Sequence, residues 1–411
     1  MQRLHVTSRE FAATADWSAL DHLPESPLVF LKNGAGLVGF GTALKLTARG
    51  ENRMTELATA WREVCANAQI DDAVKSSGSG LVAFGSMAFA DDSESESVLI
   101  VPQVVLGNRD GRTWFSRIGA SLVEDESLPS FAAEIQQYAP AVRVNFEDAS
   151  FAAPQFMAAV EDAVAHIKAH DIDKVVLARD IRADLPADFD IRANLVRLAK
   201  RFSSTWIYSV DGTFGASPEL LVRVALGQVS ARVLAGTAGR GTEPSIDAAI
   251  SKALASSGKN RSEHGFAVDS LVKSLSPYCE AIEADAEPFS LALPNLWHLA
   301  SDVQGVLRES ASSLDLAAAL HPTAAVAGTP TELAKAMIAE LEPFDRGRYA
   351  GPVGWLDASG DGEWVIALRG GQLGAGSVTA YAGCGIVAES DPEAELAETE
   401  LKFSPIRSAF A

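Results

Sequence analysis

WVIALRGGQLGAGSVTAYAGCGIVAESDPEAELAETELKF, residues 364 to 403, decides the reading of the chain. Its first part is apolar and broken by glycines, which predicts two strands joined by a glycine-rich turn and ending in Gly383-Cys384-Gly385. SDPEAELAETELKF then predicts a helix from about 392 to 402. Upstream, GTPTELAKAMIAEL reads as a second helix, with Thr329 as N-cap, Pro330 in the first turn and Glu332 completing a capping box. In PQFMAAVEDAVAHIKAHDIDKVVLARD, Phe156, Val160, Val164 and Ile167 recur at helical spacing. The helix should stop near His170, and Lys174 to Ala178 should form a strand. A second amphipathic helix over 190–202 precedes a strand, STWIYSV, and a turn at Asp211-Gly212. In the first 150 residues, strands flank the turns Asn33-Gly34 and Asp110-Gly111. Helix, strand and hairpin alternate without a regular βαβ rhythm. The expected class is α+β, with large antiparallel sheets flanked by helices. A boundary is expected between about 121 and 153, where LVEDESLPS and NFEDAS interrupt the apolar pattern.

The composition narrows the function. The chain has 411 residues, 47% hydrophobic and 21% charged, enough for a full core. Its formal charge of -20 repels phosphate backbones, so no nucleic-acid partner is expected. No apolar run reaches the length of a membrane span, and the start lacks the apolar core of a signal peptide. Cys65, Cys279 and Cys384 are far apart and in no CxxC pair, which fits a reducing compartment. A cytoplasmic protein is expected, with no membrane partner.

Local motifs carry chemistry only in outline. GTAGRG at 236–241 and GGQLGAG at 370–376 miss both nucleotide-binding glycine patterns and read as ordinary turns. Glu395, Glu398 and Lys402 fall on one face of the last helix, by spacing alone a solvated face with salt bridges. Glu263-His264 and the SPEL of residues 217 to 220 add further carboxylates. Carboxylates brought together from separate segments suit Mg²⁺, which prefers oxygen ligands and keeps several waters.

The motifs taken together say more. KVVLAR (174–179), SPEL (217–220), VLAGTAGRG (233–241), RSEH (261–264), HPTAAVAG (321–328), ALRG (367–370) and GCGIVAESDPEAELAETELK (383–402) occur in one order, with Phe403-Ser404 near the end. This strongly resembles the chorismate-utilising enzymes: isochorismate synthases, salicylate synthases, anthranilate synthase large subunits and aminodeoxychorismate synthases. The resemblance covers roughly 150–408. It implies that family's fold, with 1–150 a variable structural part of the same fold and 151–411 the chorismate-binding catalytic region.

The resemblance also implies roles. A chorismate-like dianion lies over Mg²⁺ in a deep cleft. Glu263 and Glu398 match the metal ligands, with His264 and Glu395 in support behind them. Arg369 matches the clamp on a substrate carboxylate, a task suited to its fixed fork of donors. Gly383, Cys384 and Gly385 match the stretch whose backbone N–H groups meet a carboxylate, and Lys402 falls among the substrate-binding positions. Lys174 matches the general base that activates water, where ammonia-using members usually carry glutamine. Glu219 matches the acid that protonates the departing C4 hydroxyl. Water attack at C2 then gives isochorismate, an isomerase reaction.

Ala235, Gly236 and Thr237 lie in the VLAGT motif, and Ala235 replaces the lysine that aminodeoxychorismate synthases use as a nucleophile. Ala325 stands where salicylate synthases typically have threonine. His298 matches a positioning histidine near the enolpyruvyl side of the substrate, and His321 is expected to be structural. Ala324 departs from the family's frequent HPTP, a change of local stiffness. The reading is a Mg²⁺-dependent isochorismate synthase, monomeric and without a glutaminase partner. Salicylate- or amine-forming enzymes of the same fold, or a non-catalytic chorismate-binding protein, are the alternatives. Isochorismate would feed menaquinone, catecholate siderophores or salicylate.

Overall fold

The structure is a computed structural model that describes residues 3–14, 17–121, 127–130, 135–241, 243–292 and 296–411. The side chains of Thr237, Lys259, Glu263 and Leu296 lie outside that description. The chain divides into two compact units. The larger holds Met1–Glu219, His321–Ala358 and Val365–Ala411, and the smaller holds Leu220–Leu320 and Ser359–Trp364. Residues on both sides of position 150 therefore share one unit, because Leu28–Lys32 pairs antiparallel with Trp206–Val210. The first chain break between units falls after Glu219, not between 121 and 153.

One large sheet of the larger unit runs in the order Glu147–Asp148, Lys174–Asp184, Ser377–Ile386, Gly370–Gly374, Thr213–Ser217, Trp206–Val210, Leu28–Lys32, Ala35–Phe40, Val104–Arg109, Arg112–Gly119, His5–Glu10 and Gln69–Asp72. Only the pair His5–Glu10 with Gln69–Asp72 is parallel among these pairings. A second set in the same unit is Pro352–Asp357, Val82–Ser86, Ser97–Val101 and Leu44–Ala48, all antiparallel. The smaller unit builds an antiparallel set from Leu220–Ala225, Gln228–Gly239, Leu296–Leu307 and Cys279–Ala284, with helices Pro244–Ser256, Gly258–Leu275 and Ser313–Leu320. The α+β reading holds. Among the described residues no helix is long and apolar enough to cross a membrane.

Local chemistry explains most boundaries. Helix Ala153–Lys168 buries Phe156, Val160, Val164 and Ile167, and the chain leaves it through His170 at φ 63°. Asn33-Gly34, Asp110-Gly111 and Asp211-Gly212 all have positive φ, as two-residue hairpin turns require. Three expectations need correction. The strand from Lys174 runs on to Asp184, since Arg179 is buried between Asp148 and Glu400 and Asp180 accepts from the Phe151 N–H. Pairing keeps these charges inside a strand that is covered on both faces.

Thr329 lies in a short strand paired with Lys174, so the next helix starts at Thr331 with Pro330 as its cap. The last helix spans Pro392–Ala409, seven residues past the predicted end and through Pro405. Phe403, Ile406 and Ala409 bury against the sheet there, and that burial outweighs the hydrogen bond lost at proline.

Candidate functional site

Lys174 opens its strand beside the HPTAAVAG segment. The Val176 N–H donates to Ala327 O at 2.8 Å and the Asp173 N–H donates to Thr329 O at 2.9 Å. Arg346 fastens the two segments, donating from Nη1 to Val326 O at 2.8 Å and from Nη2 to Val176 O at 2.7 Å. Ala325 is exposed at the tip of this segment, whose turn is closed by Val326 and Ala327 N–H groups on Thr323 O.

Glu219 and Arg369 are brought together by backbone. The Ser217 hydroxyl donates to Ile366 O at 2.6 Å and accepts the Glu219 N–H at 3.2 Å, while the Ile366 N–H donates to Glu219 O at 3.1 Å. Three residues on, Arg369 sits at φ 52° in a corner between strands Gly362–Ile366 and Gly370–Gly374. The corner is held by Ala216 N–H on Arg369 O at 3.2 Å and by the Tyr208 hydroxyl on Leu368 O at 3.0 Å. A non-glycine residue in that region is uncommon and is tolerated where surroundings fix it. The expected pair of strands in 364–387 is thus three strands, with Arg369 at the extra corner.

Gly383, Cys384 and Gly385 lie inside strand Ser377–Ile386, opposite Ala178, Leu177 and Val176, and not in a turn. Strand Gly370–Gly374 pairs with Ser377–Ile386 only as far as Ala380, so the register leaves that edge of the glycines outside the ladder. Lys402 lies across the glycines, donating from Nζ to Gly383 O at 2.8 Å and pairing with Glu398 at 2.5 Å. Cys384 is buried, its Sγ lies 3.7 Å from Glu395 O, and burial pushes its thiol far above the ordinary value. The Glu395 carboxylate accepts from the Ser390 hydroxyl at 2.6 Å. The face expected to carry Glu395, Glu398 and Lys402 together thus delivers only Glu398 and Lys402 to the glycines.

Electrostatics tie the larger-unit residues into one group. Burial lowers the Lys174 amine below its ordinary value, Lys402 lowers it further, and Glu219 and Glu398 oppose the shift. Burial raises the Glu219 carboxyl, opposed by Lys174, Arg369 and Lys402. Burial also lowers the Arg369 guanidinium, opposed by Tyr349, Glu219 and Glu398. Tyr349, which the sequence reading did not single out, stacks on Tyr381 at 5.2 Å between ring centroids. Burial pushes its phenol up to about 12. A half-buried amine and a half-buried carboxyl, both driven toward their neutral forms, can take one proton from a substrate and give one to it.

In the smaller unit, strand Gln228–Gly239 carries a bulge between Ala235 and Thr237, and Gly236 there has φ 79°. His264 is buried, and its ring nitrogens bond Ala235 O at 3.1 Å and Ser301 Oγ at 2.9 Å. Burial lowers its pKa. It therefore fixes the bulge of the VLAGT segment. His298 pairs with Thr237 across the strands and is half-buried. Glu263 lies on helix Gly258–Leu275, with its side chain outside the described residues. His321 is tied to Phe89 O at 2.9 Å in the larger unit, a structural contact.

The chain is similar to several known proteins. A putative isochorismate synthase, MenF, of Mycobacterium tuberculosis is 46% identical over 252 residues, 58% of this chain and 68% of its own. The salicylate biosynthesis isochorismate synthase of Pseudomonas aeruginosa is 31% identical over 397 residues, 90% of this chain and 82% of its own. A crystal structure of a putative 2,3-dihydroxybenzoate-specific isochorismate synthase, DhbC, of Bacillus anthracis superposes with a TM-score of 0.71 at 29% identity, covering 95% of this chain and 98% of its own. The family model for chorismate binding enzymes matches residues 7–411, so the chain belongs to the chorismate binding enzyme family.

Proposed function

We propose that the protein is an isochorismate synthase that adds water at C2 of chorismate and expels the C4 hydroxyl. The observation that carries this reading is the opposed pair Lys174 and Glu219. Burial drives the amine down and the carboxyl up, toward the protonation state that a base and an acid need in one resting enzyme. The names of the relatives support the same reaction. Lys174 takes the proton of the attacking water, and Glu219 delivers a proton to the leaving hydroxyl. Arg369 pairs with a substrate carboxylate, and Lys402 with the strand at Gly383 supplies further positive character for a dianion in an acidic protein. Ala235 and Ala325 offer neither a nucleophile nor a hydroxyl, which favours release of isochorismate over further chemistry.

A divalent cation belongs to this reading. Glu398 fits Mg²⁺ by donor chemistry, as a half-exposed carboxylate that pairs with Lys402. Glu263 is assigned the same role from its motif. When bound, Mg²⁺ would supply charge to hold and polarise a carboxylate of the substrate.

The purified protein with chorismate and Mg²⁺ is expected to yield isochorismate by chromatography or NMR, without stoichiometric pyruvate. In ¹⁸O-water the label should appear in the C2 hydroxyl. An unlabelled product would mean that the oxygen migrates within the substrate and that Lys174 has no water to activate. Glu398→Gln and Glu263→Gln should each remove most activity while the protein stays folded, because the carboxamide keeps size and loses charge. Near-normal turnover of both at limiting Mg²⁺ would sink the metal assignment.

A further inference from the structure

Lys174 has a neighbour that motif matching assigns to something else. We infer that Gly385 is a positioning residue for the Lys174 amine, and that its missing side chain is the slot in which the lysine stem lies. Val176 stands opposite Gly385 in the ladder, and side chains alternate along strands. Lys174, Val176 and Gly385 therefore share one face. A Cβ built on Gly385 would lie 2.6 Å from Lys174 Cε, 3.3 Å from Nζ and 3.9 Å from Cδ. The first distance is shorter than two carbons tolerate, and the atoms it meets are the working end of the lysine.

Backbone conformation does not call for glycine there, since Gly385 is not among the residues with positive φ. Gly383, on the same face, differs. A Cβ there would meet Leu177 O at 2.8 Å and Ala178 Cα at 3.2 Å, which is the neighbouring backbone. Gly383 lets two strands approach, whereas Gly385 makes room for one side chain.

The slot matters because lysine is a flexible stem with a point charge at its end. Over Gly385 the stem is held against the sheet, where Glu219, Glu398 and Lys402 are the charged groups acting on its amine. A methyl group at 385 must turn the stem away from the sheet and from those neighbours. A general base displaced by about 1 Å loses much of its effect on rate while substrate binding persists.

The inference rests on the reading of Lys174 as base, and the test separates the two. Gly385→Ala is made in the wild-type chain and in Lys174→Ala, and each protein is measured for kcat and KM with chorismate and for its urea midpoint. In the wild-type chain, kcat should fall about 10²-fold with KM changed less than about threefold. In the Lys174→Ala chain the same substitution should lower the rate far less than in the wild-type chain, because the lysine atoms it would strike are gone.

The midpoint should change less favourably in the first background, where the lysine stem has to shift, than in the second, where it is gone. Equal midpoint changes in both backgrounds overturn the slot. A rate loss that adds in full overturns the positioning role even with a coupled midpoint. Should Lys174→Ala retain wild-type turnover, the base assignment fails by itself, and the midpoints still decide whether the lysine occupies the slot.

Discussion

Two sets of opposite charges lie in the larger unit, and they are built on different terms. Glu342 and Arg346, with side chains 1% and 2% exposed, form a doubly bonded pair at 2.8 and 2.6 Å. Their remaining valences are filled: the Ala178 N–H donates to Glu342, and Arg346 donates to Val326 O and Val176 O. The Arg346 pKa is raised, so Glu342 and its bonds overcome the cost of burial. Lys174, Glu219 and Arg369 are also largely withdrawn from water, yet each is shifted toward its neutral form. Saturation with hydrogen bonds keeps a buried pair charged and makes it a clamp. Withholding those bonds leaves Lys174 and Glu219 able to exchange protons, at a cost in stability.

The largest effects should appear on the reactive side of this contrast. Lys174→Ala and Glu219→Ala are each expected to lower turnover of chorismate by about 10² to 10⁴-fold, roughly 3 to 5 kcal/mol, with binding retained through Arg369. The two losses should not add in the double variant, because both groups serve one displacement. The wild-type rate should be bell-shaped in pH, its limbs belonging to the coupled pair and not to either residue. A rate that climbs steadily through the alkaline range would remove the acid from the scheme.

Breaking the clamp should act on folding instead. Glu342→Ala leaves Arg346 buried without its partner and frees the Ala178 N–H. A loss of about 3 kcal/mol in denaturant unfolding is expected. The Lys174 strand and the HPTAAVAG segment both hang from that pair, so the remaining folded protein should also lose turnover. Unchanged stability would mean that the clamp is no stronger than the reactive set.

The sequence revealed these two sets unequally. Lys174, Glu219 and Arg369 were named because motifs in a fixed order carry them. Hairpin turns such as Asn33-Gly34 and Asp211-Gly212 were legible because their φ demands are local. Glu342 and Arg346 were not singled out in the sequence, since only the tertiary fold buries both. The corner at Arg369 was invisible for a related reason: the Ser217 and Tyr208 hydroxyls that hold it come from strands more than a hundred residues away. The extension of the Lys174 strand through Arg179 and Asp180 was hidden because polar residues read as a strand's end until their partners, Asp148, Glu400 and the Phe151 N–H, are known.

The smallest expected effect sharpens the contrast most. Glu219 holds its proton more tightly in the folded chain than its ordinary value of 4.5 allows. The folded state therefore binds more protons than the unfolded state as pH rises past 4.5, and stability is lost through the raised folded value. Lys174 has the mirror sign, with its share of stability complete above 10.5 and lost as pH falls through the lowered value. At neutral pH both groups are held at a cost.

Glu219→Gln keeps the shape and removes the ionisation. It should raise stability at pH 7 by about 0.5 to 2 kcal/mol, even as it removes the acid from catalysis. The gain should shrink below about pH 4, where the wild-type carboxyl is protonated in both states and resembles the amide. Urea unfolding of both proteins at pH 7 and pH 4 measures the difference. A glutamine variant less stable than wild type at pH 7 would mean that the carboxylate stabilises the fold through Lys174 and Arg369 as Glu342 does through Arg346. The distinction between a clamp and a reactive set would then be lost.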